Sequence, residues 1–377
     1  MMIIRNALVD SFSSPIENIG VRFISPLLEY GYPVTVEEYE NNSLSEKPLL
    51  LYLPGFDGTF LCPFLQFPEL GTIFDVRCMT ISTSDRSSFA QLTECVVRYI
   101  QQETMTTQRP VYLMGESFGG LLACNVALQI ADGNQLLDLL KGLVLINPAT
   151  SYDRSRLARE GPPVAQLPWW NYPAGLLQLL PLFTDEHSFQ QLLLILTAQA
   201  LPSVIDNPMR EAYMGRVAFS LPFVIPTVTP STLDWRLHAW LKTGCHYIAT
   251  RLKTLSNVHP NLRTLIVIGE RDETLPSSEE AIRLKEILPN SRVRMVPDAG
   301  HASTCGSRAD LSAYMRSHFQ ELNHGGGRTE MKEDAAQGEG AWYGMQQRYD
   351  SARIGLNPLL YWSSPLYYRK YRPLRVR

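Results

Sequence analysis

From Pro48 onward, short apolar runs alternate with longer segments whose apolar residues recur every three or four positions. The runs 49–53, 76–82, 111–114, 143–146, 265–268 and 293–296 have strand length and are rich in Leu, Val and Ile, so each predicts a β-strand. Segments 89–103, 121–131, 277–288 and 309–322 have helical spacing and predict the helices between them. Regular alternation of strand and helix implies an α/β fold, a mostly parallel sheet with helices on both faces. Ahead of this unit, Pro33-Val34-Thr35-Val36-Glu37-Glu38-Tyr39 reads as an antiparallel edge strand.

The alternation stops after Asn147-Pro148 and resumes near Leu262. The stretch between is rich in Leu, Pro and aromatics, including Leu167-Pro168-Trp169-Trp170 and segments 176–183, 189–201 and 219–225. It reads as a mainly helical insertion. Such an insertion is either a cap that keeps a reactive pocket apolar and dry or a helical layer that completes the core. The expected organisation is a core from 1–152 and 256–323, a helical cap insertion at 153–255, a flexible linker at 324–341 and an aromatic, basic tail at 342–377. The tail, ending Tyr367-Tyr368-Arg369-Lys370-Tyr371-Arg372 and onward, suits a membrane interface or the protein's own surface equally well.

A length of 377 residues exceeds one typical domain but fits a single α/β unit carrying an insertion. With 19% charged residues and a net charge of -3, nothing points to nucleic acid. The six cysteines contain no C-x-x-C pair and are scattered, so neither a disulfide framework nor a zinc site is expected, and no cofactor is implied. Residues 1–9 hold one Arg and too short an apolar run for a secretory signal, and they form no clear transit peptide. The longest apolar stretch, 192–201, is interrupted by Thr197 and Gln199 and is too short to span a bilayer, so any membrane contact should be peripheral. Oligomeric state leaves no mark on the sequence.

Chemistry enters at Gly115-Glu116-Ser117-Phe118-Gly119-Gly120, which stands between the run 111–114 and the small, apolar helical segment after it. Strand, G-x-S-x-G turn and helix together form the nucleophile elbow of the α/β-hydrolase fold. In such an elbow Ser117 occupies a tight turn, where a side chain at Gly115 or Gly119 would meet neighbouring backbone. Taken alone, the pentapeptide also describes a glycine-rich turn around an ordinary serine. Its partners decide between the two.

A serine hydroxyl needs a base, usually a histidine oriented by a carboxylate, and in this fold the chain order is Ser, acid, His. Asp272 follows the strand 265–268 in Gly269-Glu270-Arg271-Asp272. Its competitors are Glu270 and Asp298, and its ordinary alternative is a cap or turn role. His301 follows the strand 293–296 in Pro297-Asp298-Ala299-Gly300-His301. The other histidines are His187, His238, His246, His259, His318 and His324; only His301 lies after the last strand in a glycine-preceded loop that can reach back to the elbow. Oxyanion donors are expected from the backbone N–H of Phe118 and from the loop Pro54-Gly55-Phe56-Asp57-Gly58-Thr59. Within that loop Phe56 is the candidate donor, Asp57 the alternative, and Gly55 a turn former; a plain tight turn would also fit its glycines.

The segments Leu53-Pro54-Gly55-Phe56-Asp57-Gly58-Thr59, Phe74-Asp75-Val76-Arg77-Cys78, Gly115-Glu116-Ser117-Phe118-Gly119-Gly120, Asn147-Pro148-Ala149-Thr150-Ser151-Tyr152-Asp153-Arg154-Ser155 and Gly244-Cys245-His246-Tyr247 share their order with one group of enzymes. Over residues 49–322 the chain resembles the plastid phytyl ester synthase and diacylglycerol acyltransferase-like esterases of plants and algae. The resemblance implies an α/β-hydrolase fold, a lipid ester substrate and acyl transfer to a long-chain alcohol such as phytol or to diacylglycerol. It also implies a chloroplast location at a thylakoid or plastoglobule surface, or a thylakoid-associated or cytoplasmic one in a cyanobacterium. Those proteins continue into a second acyltransferase domain marked by a His and, five positions on, an Asp. None of the seven histidines here has that partner, so the second domain is expected to be missing.

The expected function is therefore serine-dependent transfer of fatty acyl groups from acyl lipids to water or a long-chain alcohol. Lipid esters and alcohols would be its partners, met at a membrane or lipid-droplet surface. A plain carboxylesterase or lipase differs only in the acceptor. A non-enzymatic lipid-binding scaffold is the remaining alternative.

Overall fold

The computed structural model describes residues 20–29, 46–133, 136–183, 185, 228–305 and 309–323. The strands are β1 (Val21–Ile24), β2 (Leu49–Leu53), β3 (Asp75–Ile81), β4 (Val111–Glu116), β5 (Leu140–Ile146), β6 (Arg263–Gly269) and β7 (Ser291–Val296). They form one seven-stranded sheet in the order β1-β3-β2-β4-β5-β6-β7. Every pairing is parallel except β1 with β3, where Val21 faces Ile81.

The six expected strands are present, with ends no more than three residues from the apolar runs that mark them and β2 matching its run at both ends. The antiparallel edge comes from β1, a four-residue strand too short to show a period. The expected edge strand at 33–39 lies outside the described residues, as do segments 189–201 and 219–225, the linker, the tail and residues 1–9.

Strand periodicity sorts the core into two layers. Leu49, Leu51, Leu53, Leu113, Leu143, Leu145, Ile266 and Ile268 point to one face, whereas Leu50, Tyr52, Tyr112, Met114, Val144, Ile146, Leu265 and Val267 point to the other. All are essentially excluded from solvent, each such side chain contributing about 1.5–3 kcal/mol relative to exposure. The first face is covered by α1 (Phe89–Thr104) and α2 (Phe118–Gly133). Ser88 starts α1 through a capping box with Gln91, which fixes the helix start beside its first apolar residue.

Between β5 and β6 the described elements are a 3₁₀ turn (Ala149–Arg154), α3 (Arg156–Ala165), α4 (Tyr172–Phe183), α5 (Pro230–Trp235), a π-helical turn (Arg236–Lys242), α6 (Thr243–Ala249) and α7 (Leu252–Val258). Ile248 of α6 with Leu252 and Leu255 of α7 joins the same core layer as α2. Gly244 permits this approach, since a Cβ there would lie 2.8 Å from Phe89 and 2.9 Å from Leu121. After β6 come α8 (Ser277–Ile287) and, beyond β7, α9 (Leu311–His318), which lies on the second face. Asp310 caps α9, so this helix starts later and ends earlier than the apolar pattern at 309–322 suggests; a separate 3₁₀ turn, Gln320–Asn323, carries the rest.

Parallel register aligns the strand ends: Leu53 pairs with Gly115, Glu116 with Ile146, and Gly269 with Val296. The loops that follow these strands therefore gather along one edge of the sheet, where open α/β sheets carry their sites.

Candidate active site

Ser117 is the residue between β4 and α2, and it sits in left-handed backbone space with φ 53°. That conformation costs a non-glycine residue of order 1 kcal/mol, and it is held by the neighbours. Ser117 N–H donates to the Ile146 carbonyl, and the Ser117 carbonyl accepts from Ala149 N–H at 2.9 Å. The two glycines have no room for side chains. A Cβ on Gly115 would come 2.1 Å from the Gly119 carbonyl oxygen, and one on Gly119 would come 1.9 Å from that of Leu53.

The loop after β2 closes as a turn, with Gly58 N–H donating to the Gly55 carbonyl at 3.0 Å and Gly58 at φ 78°. It lies against the elbow, since a Cβ on Gly55 would be 3.9 Å from that of Ser117. Asp57 folds back on the turn: its carboxylate accepts from Thr59 N–H at 3.1 Å, from the Thr59 hydroxyl and from its own N–H. Burial raises the Asp57 carboxyl, against those hydrogen bonds and the charge of Arg236. Phe118 opens α2, and so its N–H belongs to the first turn, which has no intrahelical partner.

The structure brings Asp272 and His301 together. His301 Nδ1 donates to Asp272 Oδ2 at 2.9 Å, which leaves Nε2 as the lone-pair nitrogen of the neutral ring. Asp272 also accepts from Thr274 N–H, Leu275 N–H and the Ser277 hydroxyl, so its orientation is fixed by α8 and the loop before it. Burial works against the charged Asp272, yet His301 and these donors outweigh it and hold the carboxyl below its ordinary value. Burial likewise pulls His301 down, but Asp272 first, then Glu116 and Asp57, raise it above 6.5.

The competing acids are engaged elsewhere. Glu270 accepts from Asp298 N–H at 2.9 Å, and Asp298 pairs with Arg271. Among the other described histidines, His238 contacts Asp234, His259 contacts the Leu140 carbonyl, and His318 is lowered to about 4 by burial and three nearby arginines. His187 and His324 lie outside the described residues.

Several residues that sequence reading leaves without a role line this edge. Asn147, at φ 39°, donates from Nδ2 to the His301 carbonyl at 2.6 Å and accepts from Gly269 N–H at 2.8 Å, tying the ends of β5 and β6 to the His301 loop. Glu116 is buried behind the elbow and accepts from the Tyr52 hydroxyl at 2.9 Å and from the Cys62 thiol. Burial pushes its carboxyl up to about 7, against those donors and the charge of His301. Phe183, at the end of α4, packs 5.1 Å from the Phe56 ring and 6.3 Å from His301, and Asp185 accepts from Gly300 N–H. The only sequence sign of Asn147 is its place after a strand in a shared motif. Phe183 stands out only as one aromatic among many.

With this geometry in view, comparison with known proteins identifies the class. A model of the Alpha/beta hydrolase family matches residues 50–311, and the chain belongs to that family. It is accordingly a hydrolase-type enzyme. Among curated proteins it is similar to phytyl ester synthase 1, chloroplastic, of Arabidopsis thaliana, with 32% identity over 280 residues, covering 68% of this chain and 35% of that protein. Phytyl ester synthase 2, chloroplastic, of the same plant is 29% identical over 291 residues, covering 72% and 38% respectively. The chain thus spans little more than a third of the length of these relatives. Among solved structures, MGS-M2, an alpha/beta hydrolase enzyme from a Medee basin deep-sea metagenome library, superposes with a TM-score of 0.51 at 12% identity, covering 80% of this chain and 94% of its own. That likeness concerns the fold alone.

Proposed function

We propose that the chain is a serine-dependent lipid ester hydrolase and acyltransferase working through an acyl-enzyme at Ser117. The hydrogen bond between Asp272 and His301, in loops level with a backbone-strained serine, carries this reading. His301 Nε2 takes the proton as Ser117 Oγ attacks the ester carbonyl carbon. Asp272 keeps the imidazole in the required tautomer and stabilises the imidazolium. The N–H groups of Phe118 and Phe56 receive the oxyanion. Asp57 N–H is the alternative second donor. Collapse of the tetrahedral adduct breaks the bond to the leaving alkoxide, which His301 protonates, and leaves the acyl group on Ser117. An incoming hydroxyl then loses its proton to His301, attacks the acyl carbon, and Ser117 recovers its proton as the product departs.

Water as acceptor yields a fatty acid; phytol or diacylglycerol yields a new ester. The names of the Arabidopsis relatives favour the long-chain alcohol, and their chloroplastic designation favours a plastid setting. The helices between β5 and β6 serve as a cap in this reading, because Phe183 reaches both the Phe56 turn and His301. An apolar roof that limits water would tilt the competition toward an alcohol. No helix among the described residues is long and apolar enough to cross a membrane. Trp169 and Trp170, 79% and 70% exposed, suit peripheral contact with a lipid surface.

The test compares wild type with Ser117→Ala, using labelled acyl lipid and phytol. Loss of both fatty-acid release and phytyl ester formation in the variant is expected. Ester formation that survives in Ser117→Ala refutes the single-site mechanism, and free acid as the sole wild-type product makes the chain a plain esterase.

A further inference from the structure

The π-helical turn Arg236–Lys242 sends two side chains, four residues apart, to both loops that frame Ser117. Arg236 is fully buried, and among the described residues its guanidinium donates to three carbonyl oxygens. Nη1 reaches Phe56 at 2.6 Å, and Nη2 reaches Ser82 at 2.8 Å and Ile81 at 3.3 Å. The guanidinium also lies 4.5 Å over the ring of Trp240, which is itself fully buried and held by a bond from Nε1 to the Ser87 carbonyl at 2.8 Å. Trp240 in turn stacks on Phe118, with centroids 4.9 Å apart and planes 19° from parallel.

Burying a cation is costly, and a core that needed only volume would fill this place with an apolar side chain. Asp57 and Asp85 provide the balancing negative charge, although burial still brings the guanidinium down to about 10. Room for the arginine depends on Gly58, where a Cβ would sit 3.2 Å from Nη1 and 2.5 Å from the Ile81 carbonyl oxygen. The contact to Phe56 has a specific mechanical effect. A turn such as Gly55 to Gly58 changes type by rotating its central peptide, and that peptide carries the Phe56 carbonyl. A guanidinium bound to this oxygen prevents the rotation: it holds the Asp57 N–H of that peptide directly and the Phe56 N–H, one peptide earlier, through the fixed shape of the turn.

We propose that Arg236 is a positioning residue for the oxyanion pocket: it locks the Phe56 turn and, through Trp240, braces Phe118, so both donors keep their aim as charge develops on the substrate oxygen. The proposal rests on the serine-hydrolase reading above. Neither side chain touches the reacting atoms. Their contribution is preorganisation, which lowers the barrier without strengthening ground-state binding.

The test measures kcat and KM for a p-nitrophenyl ester in wild type, Arg236→Met, Arg236→Lys and Trp240→Phe, each normalised to the sites titrated by a fluorophosphonate. Affinity for a trifluoromethyl ketone, which forms a charged tetrahedral adduct, is measured alongside. Arg236→Met should lose on the order of 100-fold in kcat with KM nearly unchanged, and ketone affinity should fall by a similar factor. Arg236→Lys, which can reach one carbonyl in place of three, should recover part of both. A merely structural role would lower the melting temperature and the titratable fraction while leaving kcat per titrated site intact. That outcome overturns the proposal. If Arg236→Met does not fold, the Lys and Trp240→Phe variants decide: wild-type kcat and ketone affinity in both refute it. A wild type that neither labels at Ser117 nor turns over ester rejects the hydrolase reading itself, a separate failure.

Discussion

Replacing Gly119 by alanine perturbs the contact between the two loops that supply the candidate oxyanion donors. The added Cβ would lie 1.9 Å from the Leu53 carbonyl oxygen, 2.5 Å from its carbon and 2.7 Å from the Pro54 oxygen, whereas real Cβ contacts keep at least 3.0 Å. The start of α2 and the end of β2 must therefore part by about 1.1 Å. Nothing soft absorbs this, since all three atoms are backbone and Leu53 is registered against Gly115 in the sheet. Overpacking of this kind costs about 1–3 kcal/mol, within the 5–15 kcal/mol by which a typical domain is stable, so most of the protein should stay folded. The shift falls between Phe118 and the segment leading into Phe56. A misplacement of about 1 Å at a reacting centre costs on the order of 10²-fold in rate. The assay is kcat and KM per titrated site, with the melting temperature as the folding control. Gly133→Ala in the same helix is the internal comparison: nothing lies within 4 Å of its Cβ, so it should leave activity alone and raise stability slightly. A folded Gly119→Ala enzyme with kcat within about threefold of wild type would refute the assignment of the loop 54–59 to the oxyanion.

Asp272→Asn should lower kcat by roughly 10³–10⁴-fold with little change in KM, because the His301 tautomer reverses while the pocket stays intact; a loss below about tenfold would exclude Asp272 as the orienting acid. The base must be neutral to act, and the His301 value lies above 6.5, so kcat/KM should rise with pH through an acid limb centred above 6.5. Glu116 also titrates near 7, and Glu116→Gln should leave that limb in place, moved slightly down by loss of the Glu116 charge. The same shifts set stability. The raised His301 adds stability that is complete below its unfolded value and is lost as pH rises through the folded one. The lowered Asp272 adds stability above its ordinary 3.8 that is lost as pH falls through its folded value. Melting temperatures across the pH range would check both signs.

Apolar runs mark β2 to β6 because strands buried largely on both faces leave long hydrophobic tracts, whereas β7, half-exposed at the sheet edge, is marked only by the short run 293–296. β1 escapes, since four residues at an edge need no such tract. Loop position after a strand singles out His301 and narrows the acid to Glu270, Asp272 and Asp298. Choosing among Glu270, Asp272 and Asp298 takes side-chain direction, which depends on Ser277 and the Asp272 turn on one side and on the Arg271 pair on the other. Arg236 is illegible for a further reason: its acceptors are carbonyl groups of Phe56, Ile81 and Ser82, remote in sequence and carrying no side-chain signature. The π-helical turn that aims it differs from an α-helix by one hydrogen-bond step, which no apolar periodicity discloses.

β5 and β6 pair side by side, yet more than a hundred residues separate Ile146 from Arg263. The entropy of closing so long a loop grows only with the logarithm of its length, about 0.6 kcal/mol for each doubling. A lineage could therefore lengthen, shorten or exchange much of that segment at almost no thermodynamic penalty to the sheet, provided the anchors at Asn147, Arg236 and Trp240 stayed in place. Substrate preference could drift through that segment while the residues of the candidate site were inherited unchanged.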